Sequence, residues 1–266
     1  AARVALHIAP GANAGEQPRE KVIKDSACIV GIGETGYCRK PGSGMSEEAL
    51  QLKASVVALA EAGLTGKDID GILAFPNLGK SEAFAASLGA ENLRFAATIH
   101  MGGASPVASL RMAAMAVHSG AANYVLIPAG WNGYSGARVR ETLSSDKNSI
   151  PGGAVAWDYY MPQGLTVPPQ WYALMCRRHM HEFGTTHEQM GAVAVAMRKH
   201  AQLNPGALMY GKPLTLEQYL ASPMLADPYR ISDCCLETDG AAALIVTSVE
   251  RARDTDKTPV YIMGAA

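Results

Sequence analysis

The chain of 266 residues predicts an α/β layered fold. In the first half, short apolar β-branched runs alternate with runs at helical spacing. One of those helices, "SPVASLRMAAMAVHSG", is almost wholly apolar and built from small residues, which predicts burial on all sides within the layers. The alternation then stops near Trp131, where a long Gly/Pro/aromatic-rich segment begins; a loop of that length inside a compact domain is usually functional.

"ACIVGIG", Ala27 to Gly33, reads as a buried strand. Ser46 followed by Glu47 and Glu48 starts a helix, with acids where the helix dipole favours them. "ALQLKASVVALAEAGL" carries it to a stop at Gly63. Asp70 to Phe75 form a second strand, Lys80 to Leu88 a short helix, and Arg94 to Ile99 a third strand. After the small-residue helix, "YVLIPAG" from Tyr124 to Gly130 is a fourth strand. Beyond the aromatic segment, with Trp131, Trp157, Tyr159 and Tyr160, a helix ends at Gly184. Another opens with Thr185 as N-cap and Glu188 closing a capping box, running to about Ala201. Thr215 with Gln218 repeats that signature. "DGAAALIVTS", from Asp239, is a fifth strand and "PVYIMGA" a sixth.

Composition narrows the function. With 48% hydrophobic residues the chain can bury a large core, and a net charge of −1 without Lys/Arg blocks argues against nucleic acid. No apolar run of about 18 residues predicts a membrane span. Residues 1–24, rich in Ala, Gly and Pro, read as an extension lacking a signal-type apolar stretch. Five cysteines without framework spacing suit a reducing cytoplasm. No metal site is expected: Cys234 and Cys235 are adjacent, and His179 and His181 fall on different helix faces.

Several motifs compete for a chemical role. "GIGETG", Gly31 to Gly36, matches a dinucleotide fingerprint, but Pro41, Gly42 and Gly44 forbid the helix that should follow, so a glycine-rich turn leaving a strand is the better reading. Ser105 with His100 has no nucleophile elbow around it and reads as the cap of its helix. Arg177, Arg178, His179 and His181 form a basic, solvated face. "ADPYRISDCC" reads as a loop held by Arg230, and Asp239 as a cap before its strand. In "TIHMGGASPVASL" a strand passes through Met101, Gly102 and Gly103 into a helix N-terminus, an arrangement able to hold an anion although no nucleophile is present.

Four segments in order resemble the thiolase superfamily, in its sterol-carrier-protein-thiolase branch. They are "IVGIGETGY", "TIHMGGASPVASLRMAAMAVHSGAANYVLI", "RRHMHEFGTTHEQMGAVAVAMRKHAQLNP" and "ADPYRISDCCLETDGAAALIVTS". The resemblance implies a thiolase-like N-terminal domain over residues 25–266: a five-stranded mixed sheet between helices, with an active-site loop region inserted over about 131–235, and the C-terminal half of the fold beyond this chain. It implies a homodimer. In the resembled enzymes a cysteine stands at the N-terminus of the small-residue helix, where the dipole lowers a thiol's pKa and free amides receive an oxyanion. Counting back from Ser119 and Gly120 places Gly103 there, or Gly102 or Ala104 with one residue of slippage. Covalent acyl-cysteine chemistry is therefore not expected. Relatives in this branch that split a carbon–carbon bond of β-hydroxyacyl-CoA substrates beside an OB-fold partner subunit imply that chemistry here, with Gly103 and Ser105 at the reacting turn. They imply a coenzyme A thioester as substrate, no bound cofactor, and acid/base groups from the C-terminal half. Met101, Gly102, Trp157, Met161 and Cys235 would line the acyl and pantetheine path, Cys235 standing where the superfamily has a pantetheine-facing serine. The alternative is a catalytically silent homologue that binds acyl-CoA or a lipid acyl chain, or acts as a scaffold.

Overall fold

A computed structural model describes residues 23–74, 81–138, 153–255 and 257–264. Most of the expected extension, together with Phe75, Lys80 and part of the long loop, lies outside them. The strands are β1 (Ala27–Glu34), β2 (Gly71–Ala74), β3 (Phe95–Thr98), β4 (Tyr124–Asn132), β5 (Met224–Ala226), β6 (Tyr229–Arg230), β7 (Asp239–Ser248) and β8 (Val260–Tyr261). Six of them form one mixed sheet in the order β3-β2-β4-β7-β1-β8. In it β2 runs parallel to β3 and β4, while β7 is antiparallel to both β4 and β1. The sheet thus has one strand more than the resemblance implies. The sixth is β8, which adds to the outer edge of β1 through the pairs Cys28–Tyr261 and Ile29–Val260.

On one face lie α1 (Glu47–Ala62) and α2 (Ser81–Leu88). Ser46 starts α1 as read: its Oγ accepts from the Ala49 N–H at 3.2 Å, and Gly63 closes the helix at φ 69°. Leu50, Ala54 and Ala58 of α1 and Phe84 of α2 pack on Val30, Ile72, Leu126 and Ile245. Each fully buried large side chain here contributes roughly 1.5–3 kcal/mol. This packing explains the glycine motif. A Cβ on Gly33 would sit 2.0 Å from the Ala54 carbonyl oxygen, and one on Gly31 2.4 Å from that of Ala58. Those glycines let helix and strand backbones touch.

The other face is covered by α3 (Ser105–His118), whose Ala113, Ala114 and Val117 pack on Leu73, Val125, Ile127 and Val246. Burial on all sides does not hold. Among the described residues nothing covers the far side of α3, where Val107 is 72% exposed and Met112 and Met115 also face water. Ile32 of β1 is exposed as well. An apolar composition marks a face to be buried but does not say which segment buries it.

Between β4 and β7 the chain makes irregular helical turns at 153–163. It then forms α4 (Pro168–Phe183), α5 (His187–Ala201), α6 (Leu216–Ala221) and the β5–β6 hairpin. The capping box on α5 lies one residue later than the sequence suggests. Thr186 Oγ1 accepts from the Gln189 N–H, and Gln189 Oε1 accepts from the Thr186 N–H. Thr185 instead pairs its hydroxyl with His179. The box at Thr215 and Gln218 forms as read.

Candidate active site

The strand–turn–helix at residues 95–118 has the expected path. β3 leads through His100 and Met101 into a 3₁₀ turn at Gly102–Ala104, and α3 follows directly. Gly102 has φ 57°, a left-handed conformation that glycine takes without strain. Ser105 does not cap the helix. Its buried Oγ accepts from the Met101 N–H at 2.9 Å, so it pins the turn from behind, while the N-cap position falls to Ala104 with no side-chain bond. The amides of Gly102 and Gly103 find no acceptor among the described residues. A Cβ on Gly103 would meet nothing within 4 Å. The turn therefore offers two N–H groups at the positive end of a helix, with open space beside the Gly103 Cα.

Met101 continues from this turn into a cavity of about 410 Å³, walled by Val107, Ala108 and Arg111 of α3 and by Ile262 and Gly264. Cys235 belongs to a different cavity of about 740 Å³. The two share no lining residue. The second is walled by Met190, Val193, Met197 and Arg198 of α5, by Cys176 of α4, by Tyr229 and the segment 231–236, and by Arg39 from the β1–α1 loop. Trp157 and Met161 line neither. Met161 packs with Tyr160 and Leu165 on Ala156 and Trp171, and the Trp171 indole N–H donates to the Leu165 carbonyl at 2.7 Å. Met161 thus builds a small core under the inserted region, because an aromatic-rich segment first has to satisfy its own packing.

At the larger cavity, protonation of Cys234 favours the neutral thiol. Burial, then the charge of Asp233, pushes the Cys234 thiol up, which makes it a poor nucleophile at neutral pH. Burial, then a hydrogen bond with Cys176, pushes the Tyr229 phenol up to about 12. Asp233 is committed to its own neighbours: the Tyr219 hydroxyl and the Arg230 backbone N–H both donate to it. Arg230 closes the loop as read, with its guanidinium over the Tyr219 ring and a donated bond to the Ser222 carbonyl. The basic face of α4 is solvated, Arg177 pairing with Asp227 and Arg178 with Glu182.

Sequence reasoning missed what ties the loop carrying Arg39, which lines the larger cavity, to β7. Asp239 is not a cap but a fully buried acceptor for two loops. Ser43 donates its N–H (2.7 Å) and hydroxyl (2.8 Å) to Oδ2, the Ser135 hydroxyl adds a third bond there, and the Tyr134 and Ser135 N–H groups donate to Oδ1. Burial alone would raise this carboxyl, but the bonds from Ser135 and Ser43 outweigh it and hold the group far below the ordinary carboxylate range. Arg39 and Arg138 both lie over the Tyr134 ring, at 5.7 and 4.5 Å. Partners more than 100 positions apart leave no spacing signal. Only the buried, polar start of an apolar strand at Asp239 hinted at them.

No protein-family model matches the chain. It is 41% identical over 246 residues to the 17-hydroxy-3-oxo-4-pregnene-20-carboxyl-CoA lyase of Mycobacterium tuberculosis, covering 92% of this chain and 63% of that one. It is 33% identical to an acetyl-CoA acetyltransferase of Methanothermobacter thermautotrophicus, over 80% of this chain and 55% of the relative. A solved Ltp2-ChsH2(DUF35) aldolase superposes with a TM-score of 0.82 at 39% identity, covering 92% of this chain and 62% of that chain. The chain thus spans somewhat over half the length of the relatives it matches. Its order of strands, its glycine turn into α3 and these relatives agree: the chain belongs to the thiolase superfamily, in the branch of the sterol-carrier-protein-thiolase-like proteins.

Proposed function

We propose that this chain contributes to an enzyme that breaks or forms a carbon–carbon bond next to a CoA thioester, in the retro-aldol direction, without an acyl-cysteine. The observation that carries this is the pair of amides at Gly102 and Gly103, which have no acceptor among the described residues, beside the open space at the Gly103 Cα. In a retro-aldol step the β-hydroxyl loses its proton, the Cα–Cβ bond breaks, and its electron pair flows into the thioester as an enolate. The enolate oxygen needs N–H donors and a positive helix end, and this turn supplies both. Ser105 is a positioning residue here, since its bond to Met101 fixes the turn. The cavity at Cys235 would take the CoA end of the substrate, with Met101 bordering the acyl side. The 17-hydroxy-3-oxo-4-pregnene-20-carboxyl-CoA lyase acts, by its name, on a pregnene CoA thioester, which supports a steroid or similarly bulky acyl group.

A homodimer belongs to the same reading: β3 is an edge strand whose outer hydrogen-bonding side has no partner among the described residues. So does a second, OB-fold subunit, which the two-part name of the solved aldolase supports. The odd number of cysteines supports a cytoplasmic setting. No helix among the described residues is long and apolar enough to cross a membrane. The test is to incubate a β-hydroxyacyl-CoA with the protein and follow products by mass spectrometry. A ketone or aldehyde with a shortened acyl-CoA, and unmodified cysteines after acid quench, is the expected result. An acyl adduct on Cys234 or Cys235 would overturn it in favour of covalent thiolase chemistry, and binding without turnover in favour of a silent carrier.

A further inference from the structure

We infer that Arg39 recognises a phosphate group of the CoA thioester, and so is a specificity-determining residue of the larger cavity. This rests on the reading that the cavity accepts CoA. Two guanidiniums share the Tyr134 ring, and they are not in the same electrostatic state. Arg138 has its counter-ion, Glu237, at 2.6 Å. Arg39 has no hydrogen bond and no ion pair among the described residues, and its Nε is shut away from solvent without an acceptor. Yet Arg39 lines the cavity. The acid on the same wall, Asp233, is already occupied by Tyr219 and Arg230.

A half-buried cation that shares a ring with a second cation, and has no anion of its own among the described residues, is costly unless something in the cavity compensates it. A planar guanidinium matches a phosphate with two parallel N–H···O bonds. The rest of the wall suits the remainder of the ligand: Met190, Val193 and Met197 give an apolar surface for an uncharged arm. Arg198 spends one nitrogen on the Lys212 carbonyl and keeps its positive charge at the cavity. The position of Arg39 is also well fixed, because its loop is tied to Asp239 through Ser43.

The experiment is a calorimetric series on the intact protein as isolated from its native cell. The ligands are CoA, 3′-dephospho-CoA, 4′-phosphopantetheine, pantetheine and inorganic phosphate; the proteins are wild type, Arg39→Gln and Arg39→Lys. Arg39→Gln should weaken CoA roughly 10- to 100-fold and leave pantetheine unchanged, as loss of a charge-assisted bond requires. Arg39→Lys should recover part of the loss, keeping the charge but not the fork. The truncated ligand on which the Arg39→Gln penalty vanishes identifies which phosphate is bound, and tight binding of inorganic phosphate alone would assign the site to free phosphate. CoA binding within twofold of wild type in Arg39→Gln, or equal weakening of pantetheine, overturns the inference while leaving the proposed function standing. Failure of wild type to bind any member of the CoA series overturns both. Should Arg39→Gln not fold, the Arg39→Lys ratio of CoA to pantetheine affinity decides by the same criteria.

Discussion

Replacing Asp239 by Asn tests how the two loops around it, at Ser43 and at Tyr134–Ser135, are held. In the wild type, Oδ1 accepts two backbone N–H groups and Oδ2 accepts the Ser43 N–H and two serine hydroxyls. An asparagine can keep the Oδ1 bonds, but its NH₂ then faces the Ser43 N–H, donor against donor. One charge-assisted bond is lost outright with a buried N–H left over, and the hydroxyl bonds fall to neutral strength. Together these cost about 2–4 kcal/mol. The pH dependence has a definite sign. The folded carboxyl is held below its unfolded value of about 3.9, so its contribution is fully present above that pH and lost as pH falls below it. Urea unfolding of both proteins at pH 7 and pH 3 should show the gap between them narrowing by about 1 kcal/mol at the lower pH. A gap under about 0.5 kcal/mol at pH 7, the size of an ordinary surface change, would refute the reasoning. So would a gap that ignores pH.

Other substitutions probe other links. Gly33→Ala forces a methyl against the backbone of α1 and should cost about 3 kcal/mol, read as a lower urea midpoint; a neutral result would mean that helix and strand are not in contact. Gly103→Cys should fold normally and be alkylated by iodoacetamide at neutral pH, because the site is open and the helix N-terminus favours thiolate; an inert thiol would show that the turn is closed. Glu47, buried at the start of α1, has its carboxyl pushed up to about 7 by desolvation, so the wild type loses stability as pH rises from the unfolded value of about 4.3 through 7. Glu47→Gln removes that loss and should be more stable by about 1.5 kcal/mol at pH 8, after discounting for solvent screening, with no gain at pH 4. Thermal melts across that range check it, and a flat difference would contradict the desolvation argument.

Much of the fold could be read because its determinants are local. Ser46 and Gly63 bracket α1 as capping chemistry predicts, and Thr215 with Gln218 starts α6. At α5 two threonines stand in a row, each followed three residues later by a suitable partner, and only packing chooses Thr186. Local pattern also marks Gly31 and Gly33 as special without revealing why. The cause is the backbone of α1, which arrives more than 20 residues later. The site is legible only in part. The glycine turn announces itself, since strand, glycines and helix are consecutive. Arg39, Tyr134 and Asp239 come from three separate stretches, and the sheet alone assembles them. Met161 shows the limit of such reading, for a thioether side chain looks alike whether it lines a pocket or fills a small core.

The bare side of α3 has a practical corollary. A water-facing row of Val107, Met112 and Met115 makes the 266-residue polypeptide a poor colloid. In dilute buffer it will cling to vessel walls and to itself, scattering light more strongly as concentration rises. A mild detergent that wets the row should quiet the scattering without melting the sheet beneath.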